Sequence, residues 1–117
     1  MKGYYITYGI FMLNIENIIL ELENELVIDL IKNGYDDDKE LYHLGKSLEN
    51  KITNFSIYSS NKDKGYKLIN GKILYPEFII SCNVILKDEN DSYVDELRSL
   101  IESKESIKEL NFEEDEW

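Results

Sequence analysis

The chain has no alanine and no glutamine, and it holds one cysteine, one proline, one histidine, one tryptophan and one arginine, Arg98. Isoleucine, asparagine, lysine and tyrosine are plentiful instead, the signature of an AT-rich coding bias, so lysine in place of arginine is not read as chemistry. A lone Cys82 excludes an intrachain disulfide framework and any CxxC zinc or redox site, and it fits a cytoplasmic setting. With His43 as the sole histidine, no histidine pair can bind zinc, and any Ser/His or Cys/His nucleophile system depends on that one side chain. Long hydrophobic runs are also missing. The stretch from Tyr4 to Leu13 superficially resembles a signal-peptide core, but no small-residue cleavage site follows it. Glu16, Glu21, Glu23 and Glu25 interrupt it well short of the roughly 20 apolar residues a membrane span needs. The last deficit is of positive charge. Thirteen Lys and Arg face 24 Asp and Glu, a net charge of -11. Direct grip on a nucleic-acid backbone requires basic side chains that displace counterions, so basic partners are expected and direct nucleic-acid binding is not.

What is present describes one domain spanning 1–117, a length that supports a single core without disulfides or a structural metal. Tyr4, Ile6, Tyr8, Ile10 and Met12 alternate with Tyr5, Thr7, Gly9, Phe11 and Leu13, which predicts a strand apolar on both faces and therefore central in its sheet. Asn14 caps the next segment. There Ile15, Ile18, Ile19, Leu22, Leu26 and Leu30 predict a helix from about Ile15 to Lys32, stopped by Asn33-Gly34. Leu20, Leu22, Leu26 and Ile28 also fit a hairpin turning at Glu23-Asn24. Asp36-Asp37-Asp38 suits the positive end of a second helix, with Leu41, Leu44, Leu48 and Ile52 as its stripe.

The middle is β again, from near Asn54 with Phe55, Ile57 and Tyr58, through the polar turn 61–65. Asn70-Gly71 predicts a two-residue hairpin between Tyr66–Ile69 and Lys72–Tyr75, closed by Pro76. Phe78, Ile80, Cys82, Val84 and Leu86 set one core face of the clearest strand, which places Cys82 inside as an inert thiol. Ser92 with Asp95 resembles a capping box ahead of Val94, Leu97, Leu100 and Ile101. A last strand, Ile107 to Phe112, precedes an acidic end at 113–117. This order predicts an α+β fold with helices on one face of the sheet. Without the extra second helix and the inserted β-hairpin it reads βαββαβ, the split βαβ order of ferredoxin-like folds.

Motifs for chemistry are poor. Gly45-Lys46-Ser47 matches the end of a phosphate loop, but Glu40 stands where its first glycine belongs. Asn61 to Gly65 resembles a calcium loop, yet Tyr66 and Lys72 occupy its sixth and twelfth positions. Asp36-Asp37-Asp38 with Glu40 lacks the spacing of a dedicated metal loop and reads as a helix start. No metal site, cofactor or catalytic residue is assigned, and a non-enzymatic protein is expected.

Charge is the informative feature. Residues 51–87 carry a net +4, residues 1–50 a net -6, and residues 88–117 a net -9. Such a field raises the encounter rate with a basic partner and repels DNA and RNA, although solubility alone is also served by it. The expected partner is a nuclease or other nucleic-acid-binding enzyme. Its basic site would be occluded by a small acidic inhibitor that resembles, in size and charge only, immunity proteins, antitoxins and phage anti-defence proteins of the anti-CRISPR kind. The expected contact residues are Asp88, Asp91, Asp95, Glu96, Glu102, Glu113, Glu114, Asp115 and Glu116, with Phe112 and Trp117 as apolar anchors. For Trp117, packing on its own domain is the competing expectation. The rival function is a ferredoxin-like small-ligand sensing module with a pocket lined by tyrosines and His43.

Overall fold

The computed structural model describes residues 1–33, 40–47, 50–88 and 90–117. Strand β1 (Lys2–Ile10) is interior to a six-stranded sheet, as its two apolar faces require. Helix α1 (Glu16–Leu26) follows and buries Ile18, Ile19, Leu22 and Leu26. Asn14 accepts the Glu16 N–H at 3.2 Å, one residue ahead of the helix boundary. The helix stops six residues before the expected end at Lys32. Val27 turns left-handed (φ 53°), its N–H bonds the Glu23 carbonyl, and strand β2 (Ile28–Lys32) begins at once. The expected hairpin at Glu23-Asn24 is absent too, because both residues lie inside α1. Ile28 is buried and Leu30 packs against the core, a period of two that a continuous helix would not satisfy. The expected stop at Asn33-Gly34 and the Asp36-Asp37-Asp38 cluster extend into or lie within 34–39, outside the described residues.

The second helix is a correction. Glu40–Ser47 is strand β3 and Ile52–Ser59 is strand β4. Leu41, Leu44 and Ile52 match a helical period only because two strands were read as one element; Leu48 is outside the described residues. Gly45 hides the alternation further: Asp29 faces Lys46 and Leu30 faces Leu44, leaving Gly45 as the extra residue of a bulge. Its Cα sits under Ile31, whose side chain would come within 2.8 Å of any Cβ there.

The inserted hairpin is present as β5 (Tyr66–Lys67) and β6 (Ile73–Leu74). Its loop has three residues, not two. Tyr66 faces Leu74, the Leu68 N–H bonds Lys72 O at 2.8 Å, and the Gly71 N–H bonds Leu68 O at 3.0 Å. Gly71 supplies the positive φ (89°) that such a turn requires. Strand β7 (Phe78–Leu86) buries Ile80, Cys82, Val84 and Leu86, as its alternation predicts. Helix α2 (Tyr93–Glu102) buries Val94, Leu97 and Ile101. The capping box is not formed. Asp91 Oδ1 accepts the Tyr93 N–H at 2.9 Å, while Ser92 Oγ donates to Glu96 at 3.2 Å. Strand β8 (Ile107–Glu116) continues four residues past the expected end at Phe112.

The chain is therefore an α+β fold with two helices among the described residues and an antiparallel sheet ordered β2-β3-β4-β7-β1-β8. Ile6, Tyr8 and Ile10 of β1, Phe55 and Ile57 of β4, and the alternating set of β7 form one core with the buried residues of both helices. The registers fix two ends. Lys2, Leu86 and Glu116 share one; Ile10, Phe78 and Ile107 share the other, from which the β5–β6 hairpin projects.

Candidate interaction surface

Acidic side chains belong to three adjoining elements: the β7–α2 turn, α2 and β8. In the turn, Asp88 Oδ1 accepts the Asn90 N–H at 2.9 Å. Asp91 Oδ2 pairs with Lys51 Nζ at 2.9 Å. The hydrogen bond from Lys51, and next the Tyr93 N–H, hold the Asp91 carboxyl below the usual range. Lys51 also stands 4.9 Å over the Tyr93 ring. Asp91 is thus engaged by the turn that leads into α2, one residue ahead of the N-cap Ser92.

Along α2, exposed Asp95 and Glu102 flank Arg98 and Ser99 around a shallow depression of about 180 Å³. The lone arginine is committed. Its Nε and Nη2 donate to both Glu109 oxygens at 2.8 and 2.9 Å, a bidentate fork, and its guanidinium lies 3.9 Å over the Phe112 ring. Phe112 in turn packs on Tyr4, with centroids 5.7 Å apart. The expected anchor Phe112 is therefore half-buried within its own domain.

The acidic end is a strand. Glu113, Glu114, Asp115 and Glu116 face Tyr5, Tyr4, Gly3 and Lys2 of β1. Lys2 reaches Glu114 at 3.3 Å. The termini close the ladder: the Met1 ammonium donates to Trp117 O at 2.7 Å, and the Trp117 N–H bonds Met1 O at 3.1 Å. The Trp117 indole lies against Gly3, where an added Cβ would meet it at 2.8 Å. Trp117 packs on its own sheet yet remains 59% exposed.

Of the expected contact residues, Asp88, Asp91 and Glu113–Glu116 gather at the Lys2 end of the sheet, with Asp95 and Glu96 in the first turn of α2 beside them. Glu102 stands apart at the far end of α2, where it adds to the burial, Glu109 and Cys82 that raise the Tyr8 hydroxyl pKa. Sequence reasoning missed the part played by α1. Lys104 bridges Glu21 and Glu25 at 3.0 and 2.9 Å, so one lysine ties α1 to the segment after α2. Glu21 and Glu25 stand four residues apart on one helix face, but their counter-ion lies about 80 positions away in the chain, and no local spacing reveals it.

The hairpin stretch 61–77 is basic: Lys62, Lys64, Lys67 and Lys72 stand in it against Asp63 and Glu77, and Lys62 pairs with Glu77. Asn61 to Gly65 is the expected polar turn, in which Asn61 Oδ1 accepts the Asp63 and Lys64 N–H groups at 3.0 and 3.2 Å.

Residues with chemical potential lie elsewhere. Cys82 is fully buried and its thiol pKa is pushed up to about 12 by desolvation, which removes the nucleophilic thiolate. His43 is on β3, not a helix, and its Nδ1 lies 2.6 Å from Asn33 Oδ1. Neither has the other within a described contact. Among the described residues no group of three or more His, Cys, Asp and Glu is placed to hold a metal, and no helix is long and apolar enough to cross a membrane. Comparison of the chain with protein-family models, curated proteins and solved structures finds no match.

Proposed function

We propose that the protein is a small acidic, non-enzymatic inhibitor that occludes the basic site of a nucleic-acid-processing enzyme, in the manner of an immunity protein, an antitoxin or a phage anti-defence protein. The observation that carries this reading is the extension of β8 through Glu116, held by the paired termini. An antiparallel strand rises about 3.4 Å per residue. One strand of duplex DNA carries one phosphate per 3.4 Å of axis. Side chains alternate between the faces of a strand, so the four acids set two carboxylates on each face about 6.8 Å apart, half the axial charge density of one nucleic-acid strand but at a fixed spacing that a frayed tail would not maintain. Asp95 and Glu96 widen that field. A cytoplasmic location belongs to the same reading.

The strand order also supports the ferredoxin-like reading of the fold. Taken alone, β4-β7-β1-β8 with α1 after β1 and α2 after β7 follows a split βαβ pattern. The β2–β3 pair then extends that sheet, and β5–β6 is the inserted hairpin.

The test is capture of a partner at low and high salt, followed by assay of the captured enzyme on its nucleic acid. A salt-labile partner whose activity falls as the protein is added is expected, because the Debye length is only about 8 Å at physiological ionic strength. Lysine at Glu113, Glu114 and Glu116 together should slow association more than it speeds dissociation. Undiminished enzyme activity, or unchanged association of the lysine variant, refutes the proposal. A co-purifying small molecule without a protein partner would favour the sensing module.

A further inference from the structure

The backbone of β8 carries information that its charges do not. Met1 and Trp117 exchange both main-chain hydrogen bonds, which makes them a hydrogen-bonded pair of the β1–β8 ladder. Alternation then sets the rest. Asp115 and Glu113 also turn their N–H and C=O groups toward β1, whereas Glu116, Glu114 and Phe112 turn theirs outward, away from the sheet. The Glu116 N–H agrees with this assignment, because it is taken up at 3.0 Å by the neighbouring Asp115 carboxylate and not by β1. β8 is the last strand in the sheet order, so no other strand among the described residues pairs with the outward groups of Phe112 and Glu114. The other edge is treated differently: the Leu30 N–H of β2 is covered by Glu23 Oε2 of α1 at 3.0 Å.

We infer that β8 binds by strand addition, accepting an extended basic segment of the partner along the outward N–H and C=O groups of Phe112 and Glu114. This rests on the inhibitor reading and names how its surface engages. The occupant follows from charge. A strand laid against Glu113 to Glu116 places its side chains directly opposite carboxylates, which opposite charges stabilise and like charges oppose. A second copy of this β8 is therefore a poor occupant, and a strand with lysine or arginine at alternate positions is a fitting one. Main-chain bonds would give affinity, and the alternating acids would select the sequence.

The probe is an acetylated and amidated alternating Lys-Thr octapeptide, with an alternating Glu-Thr peptide as control. In amide hydrogen exchange of the full chain, the Lys-Thr peptide is expected to protect Phe112 and Glu114 selectively, with no effect from the control. Glu114→Pro removes one outward donor while leaving the inner ladder intact, as proline is tolerated on the solvent side of an edge strand. It should bind the peptide about tenfold more weakly than Glu114→Gln, which removes the same charge and keeps the donor. Equal affinity of the two variants, protection spread evenly over β8, or no binding would overturn strand addition. Concentration-dependent protection of the same amides without peptide would assign the edge to a second copy and also overturn it. A Glu114→Pro protein that inhibits the captured enzyme as potently as Glu114→Gln leaves the inhibitor reading standing while strand addition falls. Peptide addition without enzyme inhibition separates the two in the other direction.

Discussion

The two edges of the sheet solve the same problem by different means. An edge strand exposes unpaired backbone groups that recruit other chains unless they are shortened, covered or charged. β2 uses the first two: it has five residues, and Glu23 reaches from α1 to take the Leu30 N–H. β8 uses only the third. It has ten residues, and five of its side chains are acidic: Glu109, Glu113, Glu114, Asp115 and Glu116. A side chain over an edge donor competes with any incoming strand, whereas a charged edge disfavours partners of the same sign and favours the opposite one. On the strand-addition proposal, β8 and not β2 is the edge that would accept a partner.

The largest expected effect comes from weakening the support behind the charged edge. Ile101 is fully buried on α2, the helix that packs near β8. Ile101→Ala should cost about 2–5 kcal/mol by chemical denaturation, the range for emptying a buried aliphatic site. Leu20→Ala on α1, at 59% exposure, should stay within about 0.5 kcal/mol. Hydrogen exchange should then rise first at β8 in the Ile101 variant. A rise that begins at β2 would reverse the expected coupling of helix to edge.

Deleting residues 113–117 comes next. It removes the ladder partners of Lys2 to Tyr5, the Lys2–Glu114 pair and the clamp between the termini. The cost is roughly 2 kcal/mol, because the few tenths from each lost cross-strand pair and the roughly 0.5–1.5 kcal/mol from each ladder hydrogen bond are largely offset by the ordering entropy that the shortened chain no longer bears. The thermal midpoint should fall measurably. An unchanged midpoint would mean that the acidic strand adds nothing to stability.

These elements also mark how far the sequence could be read. β7 and α2 were legible because each has an uninterrupted period and is buried along one face, and β1 because its β-rich run is apolar or aromatic on both faces. The α1–β2 junction was not, because a β-branched residue in the left-handed region runs against local preference, and only burial of Ile28 at the sheet edge favours it. β3 was misread for a related reason: its bulge at Gly45 breaks the period of two. The candidate site was legible as charge but not as geometry. Nothing in Glu113-Glu114-Asp115-Glu116 has high strand propensity, and its pairing with residues at the other terminus is a long-range contact. Arg98 illustrates the same limit, since its fork to Glu109 and its seat on Phe112 join a helix to a strand.

A smaller effect is expected from uncovering the protected edge. Glu23→Ala removes the acceptor of the Leu30 N–H, and water replaces it because that edge is partly exposed. The loss should be about 1 kcal/mol, within the range for a hydrogen bond to a charged acceptor discounted for solvent. The more telling measurement is solubility. Uncovering β2 should increase self-association at high protein concentration, seen by light scattering, while the same experiment on Glu114→Gln should not. If Glu23→Ala stays monomeric at concentrations where the parent does, the Glu23 cover is not what guards that edge.

The smallest effect concerns Glu40, at the start of β3 beside the β2 edge. The Asn33 side-chain amide donates to its Oε1 at 3.1 Å and to its carbonyl at 2.7 Å, and Tyr58 and Ser56 add to the field that stabilises the ionised carboxyl. The Asn33 hydrogen bond is the first cause of a pKa below the usual glutamate value, opposed by partial burial. A carboxyl whose pKa is lower folded than unfolded contributes stability fully above the unfolded value, near 4.3, and loses it as the pH falls through the folded value. The parent should therefore exceed Glu40→Gln in stability above the unfolded carboxyl pKa, and that margin should shrink as the pH falls below about 4.3. Glutamine can still accept the Asn33 N–H through its amide oxygen, so only the charge-dependent part changes. Urea midpoints measured from about pH 5 down to about pH 3 decide it: a margin that grows as the pH falls through about 4.3 would mean that the folded environment raises the Glu40 pKa, with desolvation outweighing the Asn33 bond.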